Sequence, residues 1–210
     1  VLNTPPIAIG QVRREAQRMA QISLDMLHET TYFLEDNDSQ RIRELEKQEE
    51  LVDLLQREIT DFLVQLSQRS ISTQTSETIA SLMNVVNDLE RVGDHCENLW
   101  RLGLKKAEAK IIFSDIGEND ISMIGEKTKD FLGFVVEAME SPDRSVAVKA
   151  IEFEDAIDDM EKAMRSNHID RLNTGECAVQ PGLLFIDMLH NFEKIGDHTF
   201  NVSEAILGDK

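Results

Sequence analysis

Apolar residues recur every three to four positions along this chain, in six stretches separated by short polar or Pro/Gly-bearing breaks, and that period predicts amphipathic helix rather than strand. The first stretch covers roughly 10–36, with Val12, Met19, Ile22, Met26, Leu27 and Phe33 as its inward stripe. Asn37-Asp38-Ser39 reads as a turn and cap before a second helix over about 39–69, whose stripe is Ile42, Leu45, Val52, Leu55, Ile59, Phe62 and Leu66. After a break at Ser70 to Ser76, a third helix over about 74–110 carries Leu82, Val85, Val86, Leu89, Val92, Cys96 and Leu99. The plan then repeats over about 116–140, 143–171 and 176–208. Pro181 suits the first turn of the sixth helix and would kink a helix that began much earlier.

The repetition extends to individual residues. Shifting the chain by 105 sets Asp25 on Asp130, Leu27 on Leu132, Glu35 on Glu140, Asp38 on Asp143, Glu49 on Glu154 and Asp53 on Asp158. Shifting by 103 sets Glu90 on Glu193, Gly93 on Gly196, Asp94 on Asp197, His95 on His198 and Asn98 on Asn201. This is a tandem duplication of a three-helix unit. The expected organisation is all-α: an entry linker over 1–9, one three-helix repeat over 10–112 and a second over 113–210. With short connections, the six long helices should run antiparallel as two three-helix bundles.

Charge bears on what the duplicated residues do. The net charge of -18 repels phosphodiester backbones and argues against nucleic acid as a partner. Acidic helix faces often serve only solubility. Here, however, the retained acids are paired. Glu49 and Asp53 lie one turn apart, as do Glu90 and Asp94, and the second copy repeats both pairs in Glu154 with Asp158 and Glu193 with Asp197. If the second and third helices of each unit face each other, four carboxylates converge per half. Two unit charges 4 Å apart repel by about 4 kcal/mol at an effective dielectric of 20. Protonation, splaying or a bound cation must relieve that repulsion, and oxygen-rich sites favour hard cations. Asn87, Asn98, Asp187, His190 and Asn201 extend the polar stripe. Arg91 and Lys194 offer a competing solution, a salt-bridged seam. Gly93 and Gly196 each cost helix stability by about 1 kcal/mol against Ala, and their repetition points to close helix approach.

Cys96 and Cys177 lie in no metal-ligand spacing and fit a reducing compartment. No apolar run approaches the roughly 20 residues that span a bilayer. There is no nucleophile–base arrangement, phosphate-binding Gly loop or dinucleotide fingerprint.

Leu89-Glu90-Arg91-Val92-Gly93-Asp94-His95 with Asn98, and Phe192-Glu193-Lys194-Ile195-Gly196-Asp197-His198 with Asn201, resemble the paired signature of the PhoU family of phosphate-signalling proteins. The resemblance covers nearly the whole chain. It implies multinuclear metal clusters on the Glu-x-x-x-Asp faces, iron in some members, with zinc, manganese or magnesium also open. It also implies a cytoplasmic role in regulating phosphate uptake by protein contact, without catalysis. Lys194 departs from the family's Arg, and Phe200 stands where the first copy has Glu97, so the two faces have unequal surroundings and equal occupancy does not follow from the resemblance.

The start, Leu2-Asn3-Thr4-Pro5-Pro6-Ile7-Ala8-Ile9 followed by Arg13-Arg14-Glu15, is similar to the linker before the PhoU-like domain of bacterial sodium–phosphate cotransporters. On that reading a transporter membrane domain lies upstream in the same polypeptide and tethers the chain to the inner face of the membrane. The alternatives are a free-standing PhoU-type regulator, a carboxylate-bridged metalloenzyme and a metal-free scaffold. Association as a homodimer is compatible with each.

Overall fold

The computed structural model describes residues 4–208, and among these it contains six helices and no strand. In chain order they are α1 (Pro5–Asp36), α2 (Gln40–Ser67), α3 (Thr73–Glu108), α4 (Asp115–Glu140), α5 (Ser145–Asn173) and α6 (Val179–Gly208). Four of the six starts lie within two residues of the predicted ones, and α6 begins three residues later than expected.

The first helix begins earlier than expected, inside the stretch read as a linker. Pro5 and Pro6 open it, because a first helical turn does not need their missing N–H groups. The Thr4 carbonyl already accepts from the amides of Ile7 and Ala8. Residues 1–3 of the expected linker lie outside the described residues. Pro181 sits in the first turn of α6, as its chemistry requires.

Each half is a three-helix bundle, α1–α3 and α4–α6, with its second helix on the outside. α2 packs only on α1 and α3, and α5 only on α4 and α6. The halves meet along α3 with α6 and α1 with α4, so the layers run α2, α1/α3, α4/α6, α5. The apolar core crosses this junction as one cluster, from Leu45 and Leu63 on one flank to Ile157 and Met164 on the other. The stripe predicted for α3 is buried at all seven positions. Ile22, Ile42 and Phe62 pack only at the edge of the core.

Gly93 and Gly196 mark matching close approaches. A Cβ on Gly93 would stand 3.4 Å from Val52 of α2, and one on Gly196 would stand 3.3 Å from Ile157 of α5. Val52 and Ile157 are themselves related by the shift of 105. The glycine one residue before each aspartate thus marks where α3 passes α2, and α6 passes α5, at the level of the acidic residues.

Candidate metal centre

That approach brings three carboxylates together in each half. Glu49 and Asp53 of α2 meet Asp94 of α3, with one oxygen from each inside a 4.8 Å span. Glu154 and Asp158 of α5 meet Asp197 of α6 in the same way. All six residues are partly exposed, so both clusters open onto the surface.

The other two predicted members stand apart. Glu90 and Glu193 lie outside the three-oxygen groups, one turn before Asp94 and Asp197, where basic neighbours engage them. Arg91 Nε is 3.7 Å from Glu90, and Lys194 Nζ is 3.1 Å from Glu193. Both carboxyls are still raised, chiefly by burial; Asp94 adds to the effect on Glu90, while the Lys194 hydrogen bond opposes it on Glu193.

Electrostatics separates the two faces. Burial, then Asp53, Glu97 and Asp94, push Glu49 up to about 7. Asp53 is raised by burial and by Asp94, against the pull of Arg57. Glu154 is raised by burial, then by Asp158 and Asp155. On the first face the close cation is Arg91, whose Nη1 is 3.0 Å from Asp94. On the second, Lys194 lies 2.7 Å from Asp197 and Lys162 lies 3.2 Å from Asp158. Glu97 adds a negative charge to the first face, where the second copy has Phe200.

The residues fit a cation. Three oxygens from two helices converge, the set is all-oxygen, and Glu49 holds a proton near neutrality that a hard cation can replace. Arg91 and Lys194 partly neutralise the aspartates, as the salt-bridge alternative anticipated, yet each reaches only α3 or α6 carboxylates.

The motif histidines do something spacing did not reveal. His95 and His198 turn away from the acidic faces into the α3/α6 seam and stack on each other, ring centroids 5.5 Å apart. His198 Nδ1 lies 2.8 Å from Asp88 Oδ1, which also accepts from Asn201 at 3.1 Å. By the same register, His95 Nδ1 lies 2.8 Å from Asn191 Oδ1, which accepts from Asn98 at 3.2 Å. Asn191 spends its own amide on the Asp187 carbonyl, so its oxygen faces the imidazole and Nδ1 of His95 is the donor. Asn98 and Asn201 thus serve the seam. The available signal was polar residues at 88, 95 and 98 recurring at 191, 198 and 201, with the seven- and ten-residue steps of one helix face.

The PhoU domain family profile matches residues 16–102 and again 121–206. The phosphate-specific transport system accessory protein PhoU homolog 1 of Thermotoga maritima is 27% identical over 201 residues, covering 93% of this chain and 84% of that protein. The corresponding PhoU homolog of Clostridium acetobutylicum is 22% identical over 201 residues, covering 95% and 90%. In architecture, the chain is similar to the crystal structure of PhoU from Pseudomonas aeruginosa, with a TM-score of 0.90 over 98% of both chains at 21% identity. It also matches the phosphate transport system regulatory protein PhoU from Streptococcus pneumoniae, with a TM-score of 0.84 at 16% identity. One domain profile therefore fits each copy of the duplication in turn, and the chain belongs to the PhoU domain family.

Proposed function

We propose that this chain is a PhoU-type regulator of phosphate transport, acting through protein contact, with a cation-binding face on each half. The observation that carries the reading is the coincidence of two things: a PhoU domain match on both copies, and a three-carboxylate cluster at the same register in each. The relatives named above are accessory proteins of phosphate-specific transport systems, matched along most of their length. That favours the free-standing regulator over a domain fused behind a cotransporter. No described helix is long and apolar enough to cross a membrane. The phosphate transporter would be a separate partner, met at the cytoplasmic face.

Glu49, Asp53 and Asp94 would hold a divalent or trivalent ion on one face, and Glu154, Asp158 and Asp197 on the other, with Glu90 and Glu193 one helical turn away. Multinuclear iron, zinc, manganese or magnesium are all compatible with oxygen donors. A bound cation would pin each outer helix to the central layer and so fix the surface a partner reads. The accessory role of the relatives favours regulation over the metalloenzyme alternative.

The test is phosphate uptake in cells lacking this chain, restored with wild type or with Asp53→Asn/Asp94→Asn. Deletion should disturb uptake, wild type should correct it, and the double variant should fail while remaining folded. Unchanged uptake on deletion would remove the regulatory reading. Full correction by a variant shown to bind no metal would remove the cation's part in it.

A further inference from the structure

The two copies diverge sharply at one end of the second bundle. The shift of 105 sets Leu63 on His168 and Leu66 on Arg171, and the shift of 103 sets Ile79 on Gly182 and Leu82 on Phe185. In the first half all four positions are buried and apolar. In the second, two of them are polar and a cavity of about 280 Å³ opens beside them, about 15 Å along α5 from Asp158. His168 fits only because Gly182 has no side chain, since a Cβ there would stand 2.5 Å from the imidazole Nε2.

Buried polar groups normally find partners, because leaving one unmade is costly. Arg171 is 9% exposed and His168 4%. Yet Nε and Nη2 of Arg171, and Nε2 of His168, have no hydrogen-bond partner among the described residues. Asp120 Oδ2 stands 3.9 Å from Nη2, beyond hydrogen-bond reach, and is itself unpartnered. Burial pushes the Asp120 carboxyl up against the pull of Arg171, and pushes the His168 imidazole down. Glu176, the acid on the cavity wall, accepts from Thr174 Oγ1 at 2.9 Å.

The rest of the wall suits negative charge. The first turns of α4, at Ser114 and Gly117, and of α6, at Pro181, line the cavity. Helix N-termini carry partial positive charge, and residues of both first turns border this cavity, with the Gly117 amide donated to Ser114 Oγ. Arg171 lines the cavity, and a guanidinium takes carboxylate or phosphate oxygens two at a time. Ile112, 83% exposed, and partly exposed Cys177 stand on the same wall, so the cavity is reached from solvent.

We propose that this cavity binds a small oxyanion, a phosphate or a carboxylate, on the Arg171 guanidinium with His168 beside it. Asp120 sets the affinity by competing for the same guanidinium. The site belongs to the second copy alone and stands independently of the acidic faces.

Cys177 reports occupancy directly, because Cys96 is fully buried and its thiol is pushed up to about 12 by burial. Alkylation of Cys177 by N-ethylmaleimide in the full chain should slow about threefold in roughly 10 mM inorganic phosphate or acetate, relative to chloride at equal ionic strength. Whichever anion protects identifies the source class. Arg171→Gln should abolish the protection and Asp120→Asn should strengthen it. If Arg171→Gln fails to fold by circular dichroism, the Asp120→Asn result decides. Protection no greater than in chloride, protection retained by a folded Arg171→Gln, or protection unchanged in Asp120→Asn would each overturn the proposal.

Discussion

His198 reaches across the α3/α6 seam to place Nδ1 2.8 Å from Oδ1 of Asp88, joining the second copy of the repeat to the first. The reciprocal contact, His95 to Asn191, has the same length but an amide in place of the carboxylate. A hydrogen bond to a charged acceptor is worth more than one to a neutral acceptor. Asp88→Ala should therefore cost about 2 kcal/mol of stability and Asn191→Ala about 1 kcal/mol. Urea denaturation measures both. In Asp88→Ala/His198→Ala the costs should fall short of additive by at least about 0.5 kcal/mol. Strict additivity would mean the contact contributes nothing.

Glu49 sets a pH dependence. Its folded pKa of about 7 lies above its ordinary 4.5, so the metal-free folded chain holds more protons than the unfolded one between those values. This group's favourable contribution is complete below about pH 4.5 and is lost as pH rises through 7. Glu49→Gln should stabilise the metal-free protein at pH 8 by about 1 kcal/mol, after allowing for screening of a partly exposed group. The gain should vanish near pH 4.5, where wild type is already protonated. Thermal melts in chelator across this range read the difference; a gain independent of pH would exclude the mechanism.

The faces should load unequally. Glu97 adds charge to the first, whereas two lysines already engage the second. Titration of chelated protein with manganese or iron, read by elemental analysis after gel filtration, should fill the Glu49–Asp53–Asp94 face first. Glu97→Gln should weaken that face by about threefold to tenfold, since a nearby charge at high effective dielectric is worth roughly 1 kcal/mol. Equal affinities in wild type would show that the flanking charges are screened out.

Two glycines of α3 should respond differently to alanine. A Cβ on Gly103 would stand 2.8 Å from both Phe33 and Leu34, so Gly103→Ala should destabilise by about 1–3 kcal/mol. At Gly93 the nearest atom is 3.4 Å away, an ordinary contact, and the gain of about 1 kcal/mol in helix propensity offsets any crowding. Gly93→Ala should be close to neutral in a urea melt, and a loss as large as at Gly103 would contradict the packing described.

Much of this was legible in the chain. Helix number, the duplication and the core stripe of α3 follow from a period that packing imposes on every turn. Glu49, Asp53 and Asp94 were legible because one-turn spacing and a small residue at the crossing set them opposite each other. Glu90 and Glu193 fall outside the three-oxygen groups, since spacing along one helix fixes a face but not the level at which a second helix crosses it. The seam was missed because Asp88 and Asn191 lack the same identity in the two copies, although they hold the same place. The polar end of α5 was hidden for the opposite reason: His168 and Arg171 occupy core positions that helical periodicity assigns to apolar residues.

The unbroken core through α3 and α6 bears on the history of the duplication. A single copy would expose the apolar and polar surface that each half now hides against the other. Before the two were joined, such a unit could cover that surface by pairing with another copy of itself about a twofold axis, with each histidine of the pair answered by the partner's residue at position 88 or its equivalent. Fusion would make that partnership intramolecular, freeing the copies to diverge: one kept a leucine-filled end, and the other opened a cavity there.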